Sequence, residues 1–217
     1  MKVLVCFSAV LLTMAAGRPA FAGVITFESL AHPDSGNTAL SSPYIDSSFE
    51  FLMLASAPFN TFWVPGTTGP EYSGSTGLAS GYYYGSIEIE RVDSTPFTLT
   101  SIDVGEFNPG DNLASVTITG TLSAGGTVTQ TLSVNPTQTF ETNTLTGFSS
   151  VTSVTLFGNA APSGEVWFQI DNVAFSDAAS APEPASYLLL LGGVAILALM
   201  RRHAPTPGVP IIRSTAG

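Results

Sequence analysis

Hydrophobic and polar residues alternate in short runs through the middle of this chain. Ile87 and Ile89 alternate with Glu88 and Glu90 between Ser86 and Val92. Phe97-Thr98-Leu99 and Ile102-Asp103-Val104 alternate as well, with a slip of phase at Thr100-Ser101. Period two marks a strand buried on one face, and the slip predicts a bulge. Val116 to Thr119 and Val128 to Val134 flank Ser123-Ala124-Gly125-Gly126, the pattern of a hairpin. Between Glu165 and Phe175, the residues Val166, Phe168 and Ile170 share a face; the phase then shifts at Asp171-Asn172 before Val173 and Phe175. Further strands are predicted at Val24 to Glu28, Ser48 to Leu54 and Val151 to Phe157. His32 to Tyr44, Pro65 to Tyr84 and Asn135 to Ser150 read as loops. Many short strands between Gly, Pro, Ser and Asn predict an all-β fold, a β-sandwich, over residues 23–176. An immunoglobulin-like arrangement is the chief rival for its topology.

Two apolar segments bracket this region and break its period. At the front, Lys2 precedes a mostly apolar run from Val3 to Ala16, and Ala20-Phe21-Ala22 fits the small-x-small rule. Residues 1–22 therefore read as a signal peptide, cut by signal peptidase between Ala22 and Gly23. Cys6, the only cysteine, leaves with it, so the mature chain has no disulfide. At the back, residues 185–200 are apolar apart from Ser186 and the Tyr187 hydroxyl, and Arg201-Arg202 follows. A helix of this length spans roughly 24 Å against a bilayer core of roughly 30 Å. Snorkelling arginines close part of the gap and hold residues 201–217 in the cytoplasm. The region between the segments is then on the exported side. Ser176 to Ala181 is a small-residue linker, and residues 177–184 carry the chain from domain to helix.

Charge narrows the partners. Between Gly23 and Ala179 there are fifteen Asp and Glu, one basic residue (Arg91) and no lysine, a balance of −14 with His neutral. Such a surface repels phosphate, which excludes nucleic acid as a partner. Cations, basic proteins and neutral sugars remain.

Pro182-Glu183-Pro184, the short apolar helix and the Arg201-Arg202 cluster, in that order at the C-terminus, resemble the PEP-CTERM sorting signal of Gram-negative bacteria. The resemblance implies processing by an exosortase-type enzyme after a transient stay in the inner membrane. It also implies delivery to the cell surface or extracellular matrix, in association with exopolysaccharide or biofilm. Prolines on both sides of Glu183 keep that site extended, as a protease needs. Fifteen residues follow Arg202, more than such tails usually carry. "VITFE", "FTLTSIDVGEF" and "FQIDNVAF", in that order, resemble the jelly-roll, galactose-binding-like domains often fused to this signal.

The chemistry of the exported region points away from catalysis. No cysteine remains after export, and its one histidine, His32, sits in a Pro-flanked loop and reads as solvated. No cofactor is required. Carboxylates suit calcium. Glu28 closes the first predicted strand and Asp171 breaks the phase of the last. In jelly rolls that this chain resembles, those strands are neighbours, with a structural calcium near them. Against this stands a bulge at Asp171-Asn172 held by local hydrogen bonds. Sugar binding needs exposed aromatic rings. Trp63 and the run Tyr82-Tyr83-Tyr84 are the candidate contacts, because three consecutive tyrosines in an extended segment cannot all face a core. The expectation is a non-enzymatic surface or matrix protein. A carbohydrate-binding module is the alternative, and a glycosidase or polysaccharide lyase stands third.

Overall fold

The computed structural model describes residues 22–54, 60–81, 85–108, 110, 113–160 and 167–178. Their strands, in chain order, are β1 (Ala22–Ile25), β2 (Asn37–Ser41), β3 (Tyr44–Asp46), β4 (Phe49–Leu54), β5 (Thr61–Pro65), β6 (Leu78–Ser80) and β7 (Ser86–Arg91). They continue with β8 (Phe97–Glu106), β9 (Leu113–Leu122), β10 (Thr127–Ser133), β11 (Glu141–Thr144), β12 (Val151–Ala160) and β13 (Phe168–Asp177). One 3-10 turn, Glu28–Leu30, follows β1.

The pairings form two layers. One runs β2-β5-β6-β13-β8-β11, with β1 also on β13. The other runs β10-β9-β12-β7-β4-β3. They are hydrogen-bonded to each other at Val151 opposite Phe97. All pairs are antiparallel, so each strand buries alternate residues between the layers. Phe49 of β4 meets Phe175 of β13 with ring centroids 4.2 Å apart and meets Phe97 of β8 edge-on at 5.0 Å. Phe27 and Phe51 make a second edge-on pair at 5.3 Å. These fully or almost fully buried rings join the sheets into one all-β sandwich core.

The period-two runs became strands close to where the sequence places them. Ile87 and Ile89 are buried while Glu88 and Glu90 are half-exposed. The phase slip in β8 is real, since Thr100 is exposed before burial resumes at Ile102. The β9–β10 turn carries φ of +92° at Gly125 and +84° at Gly126, which a side chain resists. In β13, Asn172 takes φ +45° at the expected break. The three predicted loops contain short strands: β2 and β3 within His32 to Tyr44 and just beyond it, β6 within Pro65 to Tyr84, and β11 within Asn135 to Ser150. The first strand ends at Ile25, so Glu28 stands in the 3-10 turn rather than closing a strand.

The chain divides into two units, Met1–Ala179 and Ser180–Gly217. Among the described residues no helix is long and apolar enough to cross a membrane. The signal-peptide residues before Ala22, the sorting motif Pro182-Glu183-Pro184, the apolar run 185–200, Arg201-Arg202 and Tyr82-Tyr83-Tyr84 lie outside the described residues.

Candidate functional site

Both tryptophans of the chain lie on one groove. It has a volume of about 370 Å³ and is lined by Asn37, Trp63, Phe107, Asn108 and Trp167. Period two explains the convergence. Phe168 and Ile170 of β13 belong to the hydrophobic core between the layers, so Trp167 and Gln169 lie on the opposite face of the sheet, where Gln169 is covered by other residues. On β5 the inward residues are Phe62 and Val64, which leaves Trp63 on the outer face. Trp63 stands in register between the small residues Ala39 and Ala79. Phe107 follows the end of β8, and its N–H donates to the Trp167 carbonyl at 3.1 Å. The Phe107 and Trp167 rings stack with planes 15° apart and centroids 5.9 Å apart. Phe107 is buried, Trp63, Trp167 and Asn108 are half-exposed, and Asn37 is exposed.

Polar clamps hold the groove walls. The Trp63 indole N–H donates to the Gly81 carbonyl at 3.3 Å. A Cβ on Gly81 would stand 1.9 Å from the Thr61 carbonyl oxygen, so only glycine fits there. His32 is not the solvated side chain expected from its loop. Its Nδ1 lies 2.8 Å from Asp34 and its Nε2 lies 3.1 Å from the Val64 carbonyl. Both partners are acceptors, and a neutral ring donates to one of them at a time. This clamp ties the segment before Asn37 to β5. Buried Gln169 donates to the Glu106 carbonyl at 2.9 Å, to the Glu71 carbonyl at 3.4 Å and to the Ser73 hydroxyl. It thereby fixes the β5–β6 loop over β13. Gln169 and Phe107 carried no signal of their own in the sequence; for Trp167 its phase, opposite to that of Val166, Phe168 and Ile170, was the one available clue.

Further along the same face the structure brings Glu28 and Asp171 together. The Ser75 oxygen lies 2.7 Å from a Glu28 oxygen and 2.5 Å from an Asp171 oxygen. Thr76 donates its N–H to Glu28 at 3.0 Å. Ser75 has one proton to donate, so two ionised carboxylates cannot both be satisfied by it. Asp171 is fully buried; the Phe27 and Asn172 backbone N–H groups favour its charged form, but among the described residues Oδ1 has no partner at hydrogen-bond geometry. Burial is the chief reason that its carboxyl is held above the usual aspartate range, and the nearby Glu28 charge adds to this. Glu28 is held below its usual range, chiefly by the Ser75 hydroxyl. Asn172 donates to Asp103 at 2.8 Å and to Asp171 at 3.3 Å. The local hydrogen bonds of the bulge are therefore present alongside the carboxylate pair. The oxygen donors Glu28, Asp171 and Ser75 are of the kind that calcium takes. Among the described residues no group of three or more His, Cys, Asp or Glu side chains is arranged to hold a metal ion.

No protein-family model matches the chain, and no curated protein matches it. Among solved structures it is similar to a family 29 carbohydrate-binding module, at 15% identity and a TM-score of 0.41, over 78% of this chain and 98% of that one. It is also similar to a mutant of such a module complexed with mannohexaose, at 14% identity and a TM-score of 0.41, over 74% and 94%. A family 32 module from C. perfringens NanJ, in complex with galactose, gives 11% identity and a TM-score of 0.37, over 62% and 98%. At these values the groove is read from its own residues.

Proposed function

We propose that this chain is an exported, non-enzymatic surface protein that binds glycan through the Trp63–Trp167 groove. The groove carries the reading. A pyranose has a face rich in C–H groups, which gains by packing on an aromatic ring. Its hydroxyls need donors and acceptors, which the exposed Asn37 amide supplies in kind. A mostly aromatic groove with a placed amide combines both. Export follows from the signal peptide, with the mature chain starting at Gly23. Delivery to the surface or matrix follows from the PEP-CTERM-like tail through an exosortase-type enzyme, in association with exopolysaccharide.

The strand directions suit that role. Trp167 precedes Phe168, the first residue of β13, and the chain leaves β13 at Asp177. These ends are about 30 Å apart at the rise of a strand. Asp177 thus lies at the end of β13 away from the groove. The experiment is a titration of the full chain with neutral polysaccharides, read by tryptophan fluorescence. Saturable quenching supports the reading, and no response to any of them refutes it.

A further inference from the structure

Resting on the glycan-binding reading of the groove, we propose that its ligands are uncharged glycans and that carboxylated ones are rejected. Recognition of a carboxylate uses Arg or Lys, whose N–H groups pair with both oxygens. Arg91 is the only such residue between Gly23 and Ala179. It is committed elsewhere. Its guanidinium donates to Asp177 at 2.7 Å, lies 3.4 Å from Asp93 and sits 5.8 Å over the Phe49 ring.

Arg91 is also at the wrong end of the molecule. Asp177 pairs with Phe97, the first residue of β8, whereas Phe107 and Trp167 adjoin Glu106 and Phe168, which pair at the other end. The separation along β8 is about 30 Å, several times the Debye length of about 8 Å at physiological salt. His32 is the one imidazole of the region, and Asp34 and the Val64 carbonyl engage both of its ring nitrogens. Asp34, 69% exposed, lies three residues before Asn37. Glu106 is buried beside Phe107.

A glycan carboxylate entering the groove would thus lose water, meet aromatic rings and gain no counter-charge. On approach it would meet the field of a domain carrying fifteen acids against one arginine. A hydroxymethyl group at the same carbon meets neither penalty.

The test uses the full chain in a sugar-free detergent, titrated with glucan, mannan and galactan and with the same three polymers oxidised to the carboxylate at C6. At an ionic strength of about 20 mM, at least one neutral polymer binds and its oxidised form binds at least about tenfold more weakly. Raising salt to about 0.5 M narrows the gap, because the long-range repulsion is screened. Equal or tighter binding of the oxidised polymers overturns this inference and leaves glycan binding standing. If no polymer binds in either form at either salt, the glycan reading falls and takes the inference with it.

Discussion

The indole of Trp63 is fixed by the backbone of Gly81, to whose carbonyl it donates a hydrogen bond of 3.3 Å. The two residues lie on neighbouring elements, and the absence of a Cβ at 81 lets its backbone pass close to that of Thr61. Gly81→Ala forces the backbone away from Thr61, whose carbonyl oxygen would stand 1.9 Å from the new carbon. Overpacking of this kind costs about 1–3 kcal/mol. The expected outcome is a lower melting temperature and a shifted tryptophan emission maximum. An unchanged spectrum contradicts the clamp.

The outer face of the second layer carries an unfavourable charge pair. Glu50 stands directly opposite Glu90 in the β4–β7 register, with Glu88 two residues away on the same face. Desolvation first, then Glu88 and Glu50, raise the Glu90 carboxyl above its usual range. A raised carboxyl binds more protons folded than unfolded, so its contribution to stability falls as pH rises through that range. Glu90→Gln removes the repulsion. It should stabilise the chain by about 0.2–1 kcal/mol near pH 7 and by less at pH 4. Chemical denaturation at both pH values checks this; a variant less stable than the parent at pH 7 refutes it.

Asp171 follows the same sign. Its raised carboxyl means that stability is lost as pH climbs above the ordinary aspartate range, whereas the lowered carboxyl of Glu28 means that stability is lost as pH falls through its range. Asp171→Asn keeps an oxygen for Ser75 and Asn172 and removes the buried charge. The variant should melt higher than the parent at pH 7.5, with the difference vanishing near pH 3.5. Calcium offers the parent the missing counter-charge, so added calcium should raise the parent's melting temperature and leave Asp171→Asn unchanged. A parent indifferent to calcium at pH 7.5 removes the ion from the account and leaves the bulge held by its local hydrogen bonds.

Strands that bury one face were legible because two-fold alternation is local, as at Ile87, Ile89, Phe168 and Ile170. The strands missed inside the predicted loops lack it. Ala39, Leu40, Thr142 and Asn143 are held by neighbours far away in sequence, β5 and β8, which no window around them reveals. The Glu28–Asp171 meeting was implied by the jelly-roll resemblance, in which the first and last strands are neighbours, and β1 does pair with β13. Its bridge, Ser75, was not, since nothing in a Gly- and Ser-rich stretch singles out one hydroxyl. The sequence offers Trp63 as a candidate contact, but its companions Phe107 and Trp167 come together only through the β8–β13 register.

Processing at both ends has its own readout. Ala22 pairs with Ser176 and Gly23 with Phe175, so β1 keeps Gly23 to Ile25 on β13 after cleavage at Ala22. Sequencing of the envelope form should begin at Gly23; a start at Met1 refutes the signal peptide. Glu183→Ala leaves the apolar run and the arginines intact. In a host with its own exosortase, uncleaved precursor should accumulate in the inner membrane. Normal processing of that variant makes the tail an ordinary anchor.

The most direct test of the groove removes its rings one at a time. Isothermal titration of the full chain against the neutral polysaccharide that binds it best is compared with Trp63→Ala and Trp167→Ala. An aromatic anchor of a binding site contributes about 2 kcal/mol or more. Each substitution should therefore weaken binding by about thirtyfold, with the β-sheet circular dichroism spectrum preserved. Unchanged affinity in both folded variants contradicts the assignment of the site.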